Sequence, residues 1–131
     1  MSQENVDRLR RIYQQLFDCR RLGPELLADD VEWVNPPDAV EPGRRRGPDS
    51  FNEAIASVFD AWEDARFDTE RVIDNGDDVV ALGQVRGRGR AAGIEVDRPH
   101  GQIWTFRGGL VIRMRWFHSH RETLEAAGLP E

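Results

Sequence analysis

ADDVEWVNPP, residues 28–37, is the stretch of sequence that decides the fold. Its acidic pair, Asp29-Asp30, predicts the end of a short helix. Residues 31–35 then alternate as a strand does, which puts Trp33 and Asn35 on the same side. The two prolines that follow cannot donate to a sheet ladder, so the strand ends there. We predict that this is the first strand of a sheet that carries Asn35 into a pocket.

Helical patterns lie on both sides of this strand. Apolar residues recur every three or four positions through residues 3–20, which predicts an amphipathic helix. Gly23-Pro24 is typical of the start of a short second helix. Residues 48–61 predict a third helix and residues 121–127 a last one.

The C-terminal half has the pattern of an antiparallel meander. Strands are predicted over 66–74, 78–90, 94–107 and 110–118, separated by turn signals such as Asn75-Gly76. Prolines and glycines make residues 36–48 a predicted loop. This order predicts an α+β fold, in which three N-terminal helices pack on the concave face of a strongly curved, cone-shaped and mostly antiparallel sheet. A length of 131 residues suits a single domain over 1–131.

Composition narrows the function classes. The formal net charge is −6, and phosphate binding needs a basic surface, so we expect no nucleic-acid partner. No apolar run approaches a membrane span, and the single cysteine fits a reducing cytoplasm. All 18 basic residues are arginine, which excludes Schiff-base catalysis by lysine. No glycine loop for phosphates opens a helix, so no organic cofactor is expected.

Period-two alternation predicts which side chains face the pocket. On strand 94–107, His100, Gln102 and Trp104 share one face. A bulge before His100 stays an alternative, because Pro99 cannot donate to the ladder. A tryptophan-rich wall with few polar groups is the usual make-up of a small-molecule site. The candidate wall residues for a small hydrophobic ligand are Trp33, Trp62, Val85, Gln102, Trp104, Met114, Trp116 and His118.

The opposite sheet face carries a row of arginines. Arg86 and Arg88 on strand 78–90 alternate with the residues that face the pocket, and Arg113 and Arg115 do the same on the last strand. This face is expected to meet solvent or a second subunit. We predict a homodimer through it, with acids such as Glu70, Glu95 and Asp97 pairing with the arginines.

Six short segments together resemble the nuclear transport factor 2-like superfamily, specifically its SnoaL-like branch. The segments are residues 10–13 (RRIY), 27–33 (LADDVEW), 74–77 (DNGD), 85–89 (VRGRG), 104–109 (WTFRGG) and 124–129 (LEAAGL). The resemblance implies a cystatin-like roll. The superfamily contains ketosteroid isomerases, polyketide cyclases, limonene epoxide hydrolases and scytalone dehydratases. It also contains non-catalytic binding proteins, so the fold alone does not decide the function.

The resemblance implies roles for three pocket residues. Tyr13 matches the oxyanion-hole tyrosine of the isomerases, Gln102 falls at their protonated aspartic acid, and Asn35 falls at their aspartate base. An amide can donate to an oxyanion but cannot accept a proton at neutral pH. Trp33-Val34-Asn35 also resembles the water-holding Tyr-x-Asn of the epoxide hydrolases, whose arginine and aspartates have no counterpart in this chain.

Two hypotheses follow. In the first, the protein is a cofactor-independent isomerase, cyclase or hydrolase in which His100 or His118 is the proton carrier, because histidine titrates near neutrality. Tyr13, Asn35 and Gln102 then orient a carbonyl or a water. In the second, the same residues only bind a ligand or complete the core of a dimerisation module. His118 and His120 have no evident third partner, so no metal site is expected.

Overall fold

A curved, open sheet of six strands carries three helices, in a computed structural model that describes residues 2–39 and 43–131. The predicted α+β class is confirmed. The elements in chain order are α1 (Ser2–Cys19), β1 (Leu27–Asn35), β2 (Gly43–Arg46), α2 (Pro48–Ala61), β3 (Trp62–Asn75), β4 (Asp78–Gly89), β5 (Glu95–Arg107), β6 (Leu110–Phe117) and α3 (His120–Ala126).

The strands lie in the order β2-β1-β6-β5-β4-β3, and only the β1–β6 pair is parallel. This parallel pair places the first strand beside the last. Its register sets Trp33 opposite Met114, and the next pair sets Gln102 opposite Trp116. Side chains from three strands therefore meet on one face.

Helices α1 and α2 cover this concave face. Helix α1 buries Leu9 and Ile12 against the sheet, and α2 buries Phe51 and Ile55 beside them. Because these apolar positions recur every three or four residues, they form one apolar face on each helix, and that face packs on the sheet. The helices cover the floor of the concave face, and Trp104 lies at the centre of that floor.

Helix α3 packs on the opposite face, which differs from the prediction that helices cover one face only. Val80 and Leu82 were expected to meet solvent or a second subunit, but they are buried with Ile103 and Leu124 beneath α3. The Ser119 side chain accepts a hydrogen bond from the Glu122 amide (3.0 Å) and so caps this helix. The sheet therefore has a core on each side.

The predicted second helix after Gly23-Pro24 is wrong. Those residues form a turn, closed by the Leu26 amide donating to the Gly23 carbonyl (3.1 Å). Strand β1 already begins at Leu27, which is buried and pairs with Val111 of β6. Backbone pairing with β6 stabilises these residues more than a helix of one turn would, because so short a helix is marginally stable by itself.

A short edge strand occupies part of the predicted loop 36–48. Strand β2 pairs with β1, so that Arg44 lies close enough to Glu32 for an ion pair of 3.0 Å. Consecutive arginines on an edge strand discourage further strand pairing. Residues 40–42 of the predicted loop lie outside the described residues.

The predicted arginine face is largely neutralised within the chain. Arg88 lies 3.1 Å from Glu95, and Arg115 lies 3.8 Å from Asp78. The homodimer stays a prediction that a molar-mass measurement in solution decides. No helix in the described part of the chain is long and apolar enough to cross a membrane.

Candidate functional site

A cavity of about 730 Å³ opens between the concave face of the sheet and helices α1 and α2. Its wall is mostly aromatic and aliphatic, with a few amides and charged groups near the mouth. The predicted pocket residues that line it are Trp33, Asn35, Trp62, Val85, His100, Gln102, Trp104, Met114, Trp116 and His118. A second hollow, of about 240 Å³, is lined mainly by charged groups such as Asp30 and Arg113 and has no aromatic wall.

Strand β5 runs from the floor of the cavity to its mouth. Trp104 is buried at the floor, Gln102 and His100 are partly buried above it, and Arg98 is exposed at the mouth. These four residues share one face because side chains alternate along a strand. The alternative of a bulge before His100 is not formed, since the β4–β5 register continues without a shift through Pro99. The strand therefore places an indole, an amide, an imidazole and a guanidinium in sequence.

The Gln102 amide is fixed by two donors. Its Oε1 accepts from the Tyr13 hydroxyl (2.6 Å) and from the Trp104 indole Nε1 (2.8 Å). Because an indole N–H can only donate, this contact decides which end of the amide is oxygen. The Gln102 Nε2 group is then left to donate to His100 Nε2, 3.1 Å away.

This donation sets the state of His100. A ring nitrogen that accepts a hydrogen bond is unprotonated, so the neutral ring carries its proton on Nδ1. Burial lowers the pKa of His100 to about 4, and the charges of His118 and His120 act in the same direction. The ring also stacks on Trp116, with centroids 5.5 Å apart. His100 is thus neutral at physiological pH, and its single lone pair is already occupied.

Asn35 is held in the same way on the neighbouring strands. Its Oδ1 accepts from the indoles of Trp33 and Trp116, both at 2.8 Å. The carboxamide oxygens of Asn35 and Gln102 are therefore both directed at tryptophan N–H groups. Neither oxygen is positioned to accept a proton from a ligand.

Tyr13 and His118 lie at opposite extremes of the site. The Tyr13 hydroxyl is directed at Gln102, and Tyr13 is not part of the cavity lining. Burial raises the pKa of this hydroxyl above the ordinary value, so it stays protonated and donates. His118 is exposed at the mouth, where its Nε2 lies 3.8 Å from Asp38. Tyr13 supports the wall, whereas His118 belongs to the rim.

Several lining residues were not among the predicted pocket residues, and three of them bear on the chemistry of the site. Phe67 contacts the rings of both Tyr13 and His100, and Arg66 and Arg98 lie at the mouth. Arg98 could have been found by continuing the alternation from His100, had Pro99 not favoured a bulge. Arg86, predicted on the outer face, also reaches the lining.

We expect the stability of the protein to fall as the pH drops from 6.5 toward 4. Unfolding restores the ordinary His100 pKa of 6.5, so in this window the unfolded chain binds a proton that the folded chain does not. The stabilisation that a neutral His100 contributes is present in full above pH 6.5. Near pH 4, up to about 3 kcal/mol of the free energy of unfolding is lost. Urea unfolding of wild type and His100→Gln at pH 7 and pH 5 measures it.

Comparing the two proteins separates this effect from the titration of carboxylates. The wild type should lose more stability than His100→Gln between the two pH values. Equal losses would contradict the depressed pKa, as would a His100 imidazole that titrates near 6.5 by NMR.

Among the described residues, no group of three or more histidine, cysteine or acidic side chains is arranged to hold a metal ion. The donors that the cavity wall does offer are N–H groups and guanidinium groups. These suit hydrogen-bond acceptors and anions rather than cations.

The SnoaL-like domain family matches residues 20–114 of the chain, and the protein belongs to this family. No curated protein matches the chain. A proposed SnoaL-like polyketide cyclase from Jannaschia sp. CCS1 is 20% identical, with a TM-score of 0.76 over 98% of this chain and 94% of that one.

Two further solved structures contain small molecules. TerC, co-crystallised with polyporic acid, is 23% identical with a TM-score of 0.73 over 95% of this chain and 98% of that chain. A protein from Catenulispora acidiphila with a ketosteroid isomerase-like fold, in complex with trimethylamine, is 20% identical with a TM-score of 0.64 over 81% and 79%. These likenesses establish the nuclear transport factor 2-like fold of this chain.

Proposed function

We propose that this protein binds a small, predominantly apolar molecule in the tryptophan-walled cavity. The observation that carries the proposal is the composition of the wall: all four tryptophans of the chain line one cavity of about 730 Å³. Indole rings bury a large apolar area per side chain, so a cavity wall that contains four of them suits an apolar ligand. The volume is that of a typical small-molecule site.

The geometry favours binding over proton abstraction. A general base needs a free lone pair on a group that titrates near the working pH. His100 has its accepting nitrogen occupied by Gln102 and a pKa lowered to about 4. The oxygens of Asn35 and Gln102 are each held by two donors. The wall is therefore better suited to hold a carbonyl or hydroxyl acceptor than to remove a proton.

The co-crystallised neighbours support a ligand-binding role. TerC was crystallised with polyporic acid and the Catenulispora protein with trimethylamine, so related folds accommodate molecules of quite different size. Sequence identities of 23% and 20% are too low to assign either ligand to this chain. They support a ligand-binding role for a protein of this fold.

Binding of N-phenyl-1-naphthylamine, a neutral aromatic probe, tests the proposal. Since every tryptophan lines the cavity, a bound probe should quench the tryptophan emission in a saturable way. Val85→Phe should lower the affinity about tenfold, because added ring volume fills space that the ligand needs. The measurement is a fluorescence titration at constant protein concentration.

Val72→Phe is the matched control, since Val72 is 42% exposed and is not part of the lining. It should bind the probe as the wild type does. No saturable quenching in the wild type, or equal losses in both variants, would contradict the proposal.

A cofactor-independent isomerase, cyclase or hydrolase is the second candidate, favoured by the presence of an imidazole within the wall. A compound that copurifies from the native host, identified by mass spectrometry, is the substrate to test. If His100→Gln abolishes its turnover and leaves its binding unchanged, the enzyme hypothesis gains support. If no turnover occurs in the wild type, the binding role stands alone.

A further inference from the structure

Four arginines lie around the mouth of the cavity. Arg45, Arg66, Arg86 and Arg98 are part of the lining, and Asp38 is the only carboxylate among the described lining residues. This concentration of positive charge contrasts with the net charge of −6 for the whole chain. The mouth is thus a local cationic region on an acidic protein.

Two of the four arginines have no ion pair with any described residue. Arg86 is neutralised by Asp68 at 3.2 Å and Asp97 at 3.3 Å, and it serves as the comparison. Arg66 and Arg98 are exposed and make no such contact within residues 2–39 and 43–131. Their guanidinium groups are available to a ligand, whereas that of Arg86 is already engaged.

The position of Arg98 follows from the strand that forms the wall. Arg98 precedes His100 by two residues and lies on the same face of the strand. This spacing places it about 7 Å closer to solvent. Arg66 lies two strands away on the edge strand β3, about 10 Å across the sheet. It pairs with Arg86 and so starts from the opposite face to Arg98, which means that it contributes to the lining from the edge of the sheet. Both side chains are nevertheless part of the lining of the one cavity.

The polar groups below the mouth have the same character. Gln102 donates through Nε2, and the neutral His100 carries its proton on Nδ1. From floor to mouth, β5 therefore presents donors and then a positive charge. A guanidinium binds carboxylate and sulfonate oxygens through paired N–H groups, and such charge-assisted bonds are stronger than neutral ones.

We infer that the ligand is an aromatic or polycyclic acid, whose apolar body lies among the tryptophans and whose anionic group is bound at the mouth by Arg66 and Arg98. This inference rests on the proposed function, because it assigns a charge to the ligand of the same cavity. A neutral ligand would leave both guanidinium groups without a role, and a cation would be repelled by them.

Two probes that share one ring system test the inference. N-phenyl-1-naphthylamine is neutral, and 8-anilinonaphthalene-1-sulfonate adds a sulfonate. The wild type should bind the sulfonate about fivefold more tightly at low salt, with the preference declining as salt is added. In the double variant Arg66→Gln/Arg98→Gln, affinity for the sulfonate should fall about tenfold, while affinity for the neutral probe stays within about twofold.

Arg121→Gln is the control for a distant arginine: it removes one positive charge, where the double variant removes two, from α3 on the other side of the sheet. It should leave both affinities unchanged. Equal affinity of the wild type for both probes, or equal weakening by the control and the double variant, would overturn the inference and leave the proposed function intact. Failure of both probes to quench the tryptophans would overturn both.

Discussion

Replacing Gln102 by leucine is expected to lower the free energy of unfolding by about 2–5 kcal/mol. The leucine fills a similar volume but leaves the Tyr13 hydroxyl and the Trp104 indole N–H without their acceptor. Trp104 is only 1% exposed, so water cannot replace the lost partner. A buried donor without a partner costs about 1–3 kcal/mol. Urea unfolding followed by far-ultraviolet circular dichroism measures the loss.

Two companion variants separate the hydrogen bonds from simple packing. Adding Tyr13→Phe to Gln102→Leu removes one orphaned donor, so the double variant should recover part of the loss. Gln102→Glu keeps an acceptor for both donors, and its carboxylate should raise the pKa of the neighbouring His100. A leucine variant within about 0.5 kcal/mol of the wild type would show that the amide is not a structural clamp.

Gly83→Ala should cost about 1–3 kcal/mol, although it adds a single methyl group. The new Cβ would overlap the Asp68 carbonyl oxygen and lie 2.9 Å from its carbon. Both are backbone atoms of β3, next to a register shift between Thr69 and Arg71, so no side chain can move aside. Strand β3 would have to separate from β4, and unfolding in urea measures the cost.

Gly89→Ala in the same strand is the matched control. Its Cβ would meet no atom nearer than the Ile94 carbonyl oxygen at 3.8 Å. Alanine there reduces the entropy of the unfolded chain, so its stability should equal or slightly exceed that of the wild type. A similar cost at both positions would mean that strand propensity, rather than the close approach of β3, decides the result.

Local patterns were sufficient to predict most elements of the fold. The alternation of residues 31–35 placed Trp33 and Asn35 on one face, and the structure keeps them there. Long strands and amphipathic helices are encoded by neighbours in sequence, which is why their type was predictable. The short helix after Pro24 was wrong because the pairing of Leu27 with β6 depends on residues far along the chain.

The partners of the polar site residues could not be predicted in this way. Tyr13 and Gln102 are 89 residues apart, and no periodicity relates them. Alternation identified which side chains share a face, but not that indole N–H groups and the Tyr13 hydroxyl would occupy the amide oxygens. Arg98 at the mouth could have been predicted from the same alternation, because the register continues through the neighbouring Pro99, where a bulge had been considered.

The two indoles around Asn35 also bear on how this protein could acquire new chemistry during evolution. An aspartate at this position would accept the same two N–H bonds in its charged form, and such bonds lower a carboxyl pKa. The resulting carboxylate would be a weaker proton acceptor than a free one. A gain of base catalysis at this position would therefore require a change at Trp33 or Trp116 as well, so a single substitution there would not convert the cavity into a carboxylate-driven active site.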